Sequence, residues 1–163
     1  MDIKTEFIPE FDQEMKTTRR LLERVPYDKG TWKPHPKSFA LGHLAQLVAW
    51  IPDWIRNAAA EDVMDLATAP KYSFETTETL LAMFDKNVRN AKAALERVQD
   101  SELGADWRLK SGDQVFLTWK KRDALRSHLN HFVHHRGQLT VYLRLIDVPL
   151  PPIYGPTADE RGM

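Results

Sequence analysis

Four of the six histidines fall within eight consecutive positions of the stretch SHLNHFVHHRGQL, as His128, His131, His134 and His135. Imidazole titrates near neutral pH and in its neutral form is a common metal ligand. Four residues turn a helix through about 400°, so His131 and His135 on a helix stand one turn apart on nearly one face. Two imidazoles so placed can grip one divalent ion. By itself the HxxxH spacing is a weak signal, because core or interface histidines satisfied by neighbouring side chains and backbone would look the same. Steps of three and four through Leu125, His128, Phe132, His135, Leu139, Tyr142 and Ile146 mark an inward stripe. An unsatisfied polar group on such a stripe costs roughly 1 to 3 kcal/mol. A metal would satisfy several nitrogens at once. His128 shares the general face, as a supporting group, a substitute ligand or a boundary histidine. His134 points about 100° away from His135, toward solvent or an interface. His35 lies between Pro34 and Pro36, where a structural role is expected. Gly137 costs a helix about 1 kcal/mol relative to alanine, which suggests close approach of another backbone, from the second helix or a second subunit.

The elements that would position these residues are helical. Phe7, Phe11, Met15 and Leu22 give a first helix from about Glu6 to Arg24, closed by Pro26. After the loop YDKGTWKPHPKSFA, a second helix starts near Leu41, and Pro52 within it predicts a kink or break near Trp50. Leu80, Phe84, Val88, Ala91, Leu95 and Val98 predict a third from about Phe74 to Val98. The segment QDSELGADWRLKSGDQVF has no sustained period. A fourth helix should run from about Lys120 to Ile146, after which four prolines force the tail PLPPIYGPTADE to be extended. The pattern predicts an all-α four-helix bundle, one domain over residues 1–163. The long connections Glu61 to Ser73 and Gln99 to Thr118 leave room for crossovers.

Composition narrows the chemistry. Hydrophobic content of 42% with 28% charged residues is that of a globular chain outside membranes. The 23 basic residues are balanced by 23 acidic ones, which leaves no field for a polyanion and argues against nucleic acid. There is no cysteine, so a thiolate metal site is impossible and any thiol chemistry needs an external thiol. No run of 18 apolar residues suggests a membrane span, and the charged start MDIKTEF lacks the form of a signal peptide. A cytoplasmic location is expected.

The stretch NHFVHHRGQLTVYLRLIDVPLPPIYGPTADE resembles the carboxyl-terminal signature of the DinB/YfiT-like proteins, and EFDQEMKTTRRLLERVP, WKPHPKSFALGHLA and FDKNVRNAKAAL extend the likeness over nearly the whole chain. The resemblance implies a four-helix bundle, often a homodimer, holding a divalent ion such as nickel or zinc on three histidines. Two of these match His131 and His135. The third usually comes from the second helix, in a pattern like LGxLAxHVAxxPxW. Here LGHLAQLVAWIPDW puts Leu47 at that place, and a leucine cannot bind metal. His43 lies one turn earlier, about 6 Å along the axis. Three outcomes stay open: a metal held by His131, His135 and a rescued ligand such as His43 or His128; weak binding by two histidines and water; or no metal. The resemblance makes thiol-dependent transfer to a small-molecule substrate, with a low-molecular-weight thiol, the first reaction to test, ahead of metal-assisted hydrolysis. Asn130, Gln138 and Tyr142 could orient the ligands or touch the substrate, or simply satisfy local backbone. Trp50 and Trp54 could line a pocket or be plain core. The alternative is a non-catalytic dimeric binding or stress-response protein with a degenerate metal site.

Overall fold

Apolar spacing near 3.6 residues runs through four segments, and each folds as a helix. The computed structural model describes residues 2–161. A π-helical turn, Ile3–Phe7, leads into α1 (Ile8–Leu22), followed by α2 (Leu41–Ala60), α3 (Thr77–Arg97) and α4 (Lys121–Leu145). The predicted stripes are the buried ones: Phe11, Met15 and Leu22 on α1, Leu80, Phe84, Ala91 and Leu95 on α3, Leu125, Phe132 and Leu139 on α4. α3 begins at a capping box in which Thr76 Oγ1 accepts from the Thr79 amide and Thr79 Oγ1 accepts from the Thr76 amide. That cap starts the helix three residues later than the apolar pattern predicts, leaving Phe74 outside it. α4 stops where Asp147 takes a left-handed conformation, φ 60°, two residues before Pro149.

Pro52 neither breaks α2 nor ends it. Lacking an amide hydrogen, it leaves the Val48 carbonyl without its i+4 donor. α3 offers compensation at the next carbonyl, where the buried Asn87 Nδ2 donates to Ala49 O at 3.0 Å. α1 and α2 each pack chiefly on α3 and α4, so α1 lies diagonal to α2 and α3 diagonal to α4, while α2 and α3 are neighbours. The α1–α2 and α3–α4 connections therefore cross the bundle.

The all-α expectation is corrected by a three-stranded sheet built from the segments that join α2 to α3 and α3 to α4. β1 (Val63–Asp65) pairs in parallel with β2 (Asp106–Ser111), which pairs antiparallel with β3 (Gln114–Lys120). Gly112, at φ 56°, takes the first place of the two-residue hairpin loop, where a positive φ favours glycine. Among the described residues only one strand residue is fully enclosed, so the alternation that announces a strand is faint. That residue is Trp107. Its indole Nε1 donates to Asn57 Oδ1 of α2 at 2.9 Å, and its ring lies 5.1 Å from His128 of α4 and 6.4 Å from Trp119 of β3. One tryptophan thus pins the sheet to two helices.

The tail after α4 is a clasp. Arg136, 1% exposed, pairs with Glu14 of α1 and donates to Thr18 Oγ1 at 3.2 Å. The Tyr154 hydroxyl accepts from Arg136 Nη2 at 2.7 Å and donates to Glu14 Oε1 at 3.0 Å. Further along, Asp159 pairs with Arg144 and accepts from the Leu150 amide, while Glu160 accepts from Arg20 and Arg24. The YGPTADE motif therefore has structural work on the face of α1. Among the described residues no helix is long and apolar enough to cross a membrane.

Candidate functional site

α4 turns His131 and His135 toward each other. Their Nε2 atoms are 2.7 Å apart and their ring centroids 4.5 Å apart. His135 Nδ1 is 2.7 Å from Gln138 Oε1, one turn further on. An amide oxygen only accepts, so His135 carries its proton on Nδ1 and its Nε2 accepts the Nε2–H of His131, a proton that has to move to the other nitrogen of His131 before both Nε2 atoms can face a metal. Burial pushes His131 down to about 4, helped by the neighbouring charges of His135 and His134. Burial also lowers His135, against the opposing pull of its bond to Gln138. Both rings are therefore neutral at pH 7, the form a metal takes up.

Metal–nitrogen bonds of about 2.0–2.1 Å place adjacent nitrogens about 2.9 Å apart at a right angle and about 3.3 Å apart at the tetrahedral angle. The 2.7 Å separation is close to the first of these. The pair fits two neighbouring coordination positions. No group of three His, Cys, Asp or Glu side chains that could hold a metal occurs among the described residues. The fit is thus to a two-point grip, with the remaining positions open.

α2 faces this pair in the opposite sense. Trp54 lies 5.3 Å from His131, whereas Phe39, just before α2, lies 6.5 Å from His135, so α2 and α4 run antiparallel across the site. Leu47 precedes Trp54 by seven residues, two turns to within about 20°, and so looks toward α4 between those contacts. It is 5% exposed and aliphatic. His43 does not join the pair. Its ring is packed between Phe39 at 4.5 Å and Tyr72 at 3.8 Å, and burial, with Lys33 nearby, lowers its pKa.

His128 lies in the wall, 5.1 Å from Trp107 and 5.8 Å from Trp54, with Nε2 buried and lacking a hydrogen-bond partner among the described residues. Burial pushes it down to about 4, with a smaller contribution from His131. Trp50 meets Tyr72 at 5.0 Å, and Tyr142 sets its edge against Trp32 at 5.8 Å. Asn130 and His134 are exposed, the latter 5.0 Å from His135. His35 Nδ1 accepts from the Lys37 amide at 3.2 Å and holds a loop turn. Gly137 is also exposed, with no atom within 4 Å of where a Cβ would stand, so neither α2 nor any other described part of the chain approaches it. The close neighbour predicted within the chain is absent because Gly137 lies on the outer side of α4.

Phe39, Tyr72 and Trp107 carry much of this arrangement, and sequence reasoning did not single them out. Phe39 and Tyr72 sit in connections without periodicity, and Trp107 in a strand too short to show one. Only their aromatic type, in stretches otherwise polar, marks them.

A crossed four-helix bundle that turns an imidazole pair inward, under an aromatic wall tied to a small sheet, defines the class of protein. Sequence comparison agrees. The chain belongs to the DinB family, whose profile matches residues 1–162. Two solved structures are similar to it. One is a DinB-like protein from Bacillus subtilis, 18% identical, with a TM-score of 0.72 over 98% of this chain and 100% of that one. The other is a DinB-like protein from Bacillus cereus, 20% identical, with a TM-score of 0.71 over 91% of this chain and 95% of that one. At such identities the likeness is one of fold. No curated protein matches the chain.

Proposed function

We propose that the protein is a metal-dependent enzyme of the thiol-transfer kind, holding a divalent ion such as nickel or zinc through His131 and His135. The observation that carries this reading is the convergence of two neutral imidazole nitrogens at 2.7 Å, one of them oriented by Gln138. A bound divalent ion would supply Lewis acidity that lowers the pKa of a thiol. The chain contributes the rest: Gln138 fixes the His135 tautomer, burial keeps both rings neutral, and Leu47 and Trp54 keep water from the inner side. With no cysteine in the sequence, the thiol must be a small molecule.

The test is calorimetric titration of nickel and zinc into chelator-treated protein purified without an affinity tag. One ion per chain should bind, and Leu47→His should raise the affinity 10-fold or more by restoring a third donor. His131→Ala should abolish uptake. A wild-type chain that takes up no metal at all would discard the enzyme reading. The second reading, a non-catalytic dimeric binding or stress-response protein with a degenerate site, is favoured by the inward Leu47 and by His43 being held between Phe39 and Tyr72. The homodimer belongs to both readings. Val141 and Leu145, each more than half exposed on the outer side of α4 beside Gly137, form the surface that a second copy would cover.

A further inference from the structure

Trp54 has a second face. Besides contacting His131, it lines an open cavity of about 420 Å³ between α2 and the segment from Met64 to Tyr72. That volume lies in the range of small-molecule sites. Three flat side chains, Trp50, Trp54 and Tyr72, stand in its wall with the apolar Met64. Aromatic walls favour a ligand that is itself flat.

Much of the polar lining is already committed. Asn57 donates to the Val63 carbonyl and accepts from Trp107. Asp65 accepts from the Ala67 and Gly112 amides and lies 3.4 Å from Lys110. Arg56 Nε donates to Asp53 at 2.5 Å and its Nη1 lies 3.8 Å from Glu61 Oε1, so its charge is shared between two carboxylates. The Tyr72 hydroxyl has no hydrogen-bond partner among the described residues, and burial raises its pKa, so it remains a donor. Tyr72 thus calls for an acceptor on the ligand, while the lining charges of Arg56 and Asp53 offset one another and favour an uncharged one.

We propose that this cavity is the substrate site and that it takes a planar, uncharged aromatic compound carrying a hydrogen-bond acceptor such as a nitro or carbonyl group. Calling the ligand a substrate rests on the enzyme reading above; its binding requires no metal. Trp54 would stand between the bound ring and His131, and the acceptor would meet Tyr72.

The experiment uses chelator-treated full-length protein and nuclear magnetic resonance of its five indole N–H groups, assigned through single Trp→Phe variants. The probe is 4-nitrobenzyl alcohol, compared with 4-methylbenzyl alcohol, cyclohexylmethanol and benzyltrimethylammonium. The nitro compound should shift the Trp50 and Trp54 resonances saturably and leave that of Trp32 in place. It should bind more tightly than the methyl compound, and cyclohexylmethanol should bind least. Tyr72→Phe, which keeps the ring, should weaken the nitro compound roughly 3- to 10-fold and leave the methyl compound unchanged. Trp54→Leu should weaken both. The proposal is overturned if Trp50 and Trp54 do not respond saturably, if cyclohexylmethanol binds as well as the nitro compound, or if only the ammonium binds. Metal is excluded throughout, so ring binding without nickel uptake would sink the enzyme reading alone, and nickel uptake without ring binding would sink this one alone.

Discussion

Gln138 decides which nitrogen of His135 is free. Accepting from Nδ1 at 2.7 Å, it leaves Nε2 as the lone pair that faces His131. Without that acceptor the ring could rotate or change tautomer, and the two-point grip would lose its shape. Gln138→Leu is therefore expected to weaken nickel or zinc binding 10- to 100-fold, the usual effect of losing a partner that orients a ligand. Calorimetry beside the wild type checks it, and unchanged affinity would remove Gln138 from the site. At this scale the sequence was informative where chemistry follows local spacing. The imidazoles lie four residues apart, so their meeting needs only a helix. The direction of His43 was not legible, because it depends on Phe39 and Tyr72, which reach it from two connections outside any periodic pattern.

Among the elements, Phe74 shows how a residue outside α3 fixes the start of α2. Its ring lies between Gly30 and Gly42, and the Gly42 amide donates to the Gly30 carbonyl at 2.9 Å. A Cβ on Gly42 would stand 2.7 Å from Phe74 Cγ and 2.9 Å from its Cβ, atoms too near the backbone to swing away. Gly42→Ala should accordingly cost about 1–3 kcal/mol, the typical cost of overpacking, despite the better helix propensity of alanine. A chemical-denaturation midpoint equal to that of the wild type would contradict it. Helices were readable because each repeats its apolar face through several turns. The sheet was not, since β3 exposes nearly every residue and β2 buries only Trp107 fully, so neither strand alternates strongly enough to be told from a loop. Pro52 misled for a different reason: the effect of a lost donor depends on the neighbouring helix, where Asn87 bonds to the adjacent carbonyl.

At the scale of the whole molecule two properties can be measured. The first concerns Gly137. With open space where its Cβ would be, Gly137→Ala should stabilise an isolated chain by about 1 kcal/mol and raise Tm by roughly 2–4 °C. A fall in Tm together with a shift toward monomer in sedimentation would instead put a second copy over this face of α4. The second is sensitivity to acid. His128 is 5% exposed and held down to about 4 by burial, whereas an unfolded histidine titrates near 6.5. Between those values the unfolded chain binds a proton that the folded chain refuses, so acidification favours unfolding. The stability that comes from keeping His128 neutral is complete above pH 6.5 and is lost as the pH falls toward 4, at up to about 1.4 kcal/mol per pH unit. His131, also held at about 4, adds to the slope in the same direction. Denaturant unfolding of the chelated protein should show a midpoint that declines steadily from pH 6.5 to pH 4.5. His128→Leu, which removes the orphaned Nε2 together with its proton, should flatten that decline while leaving the contribution of His131. An identical decline in the variant would mean that the folded protein admits the His128 proton, and that its ring is not sealed between Trp54 and Trp107.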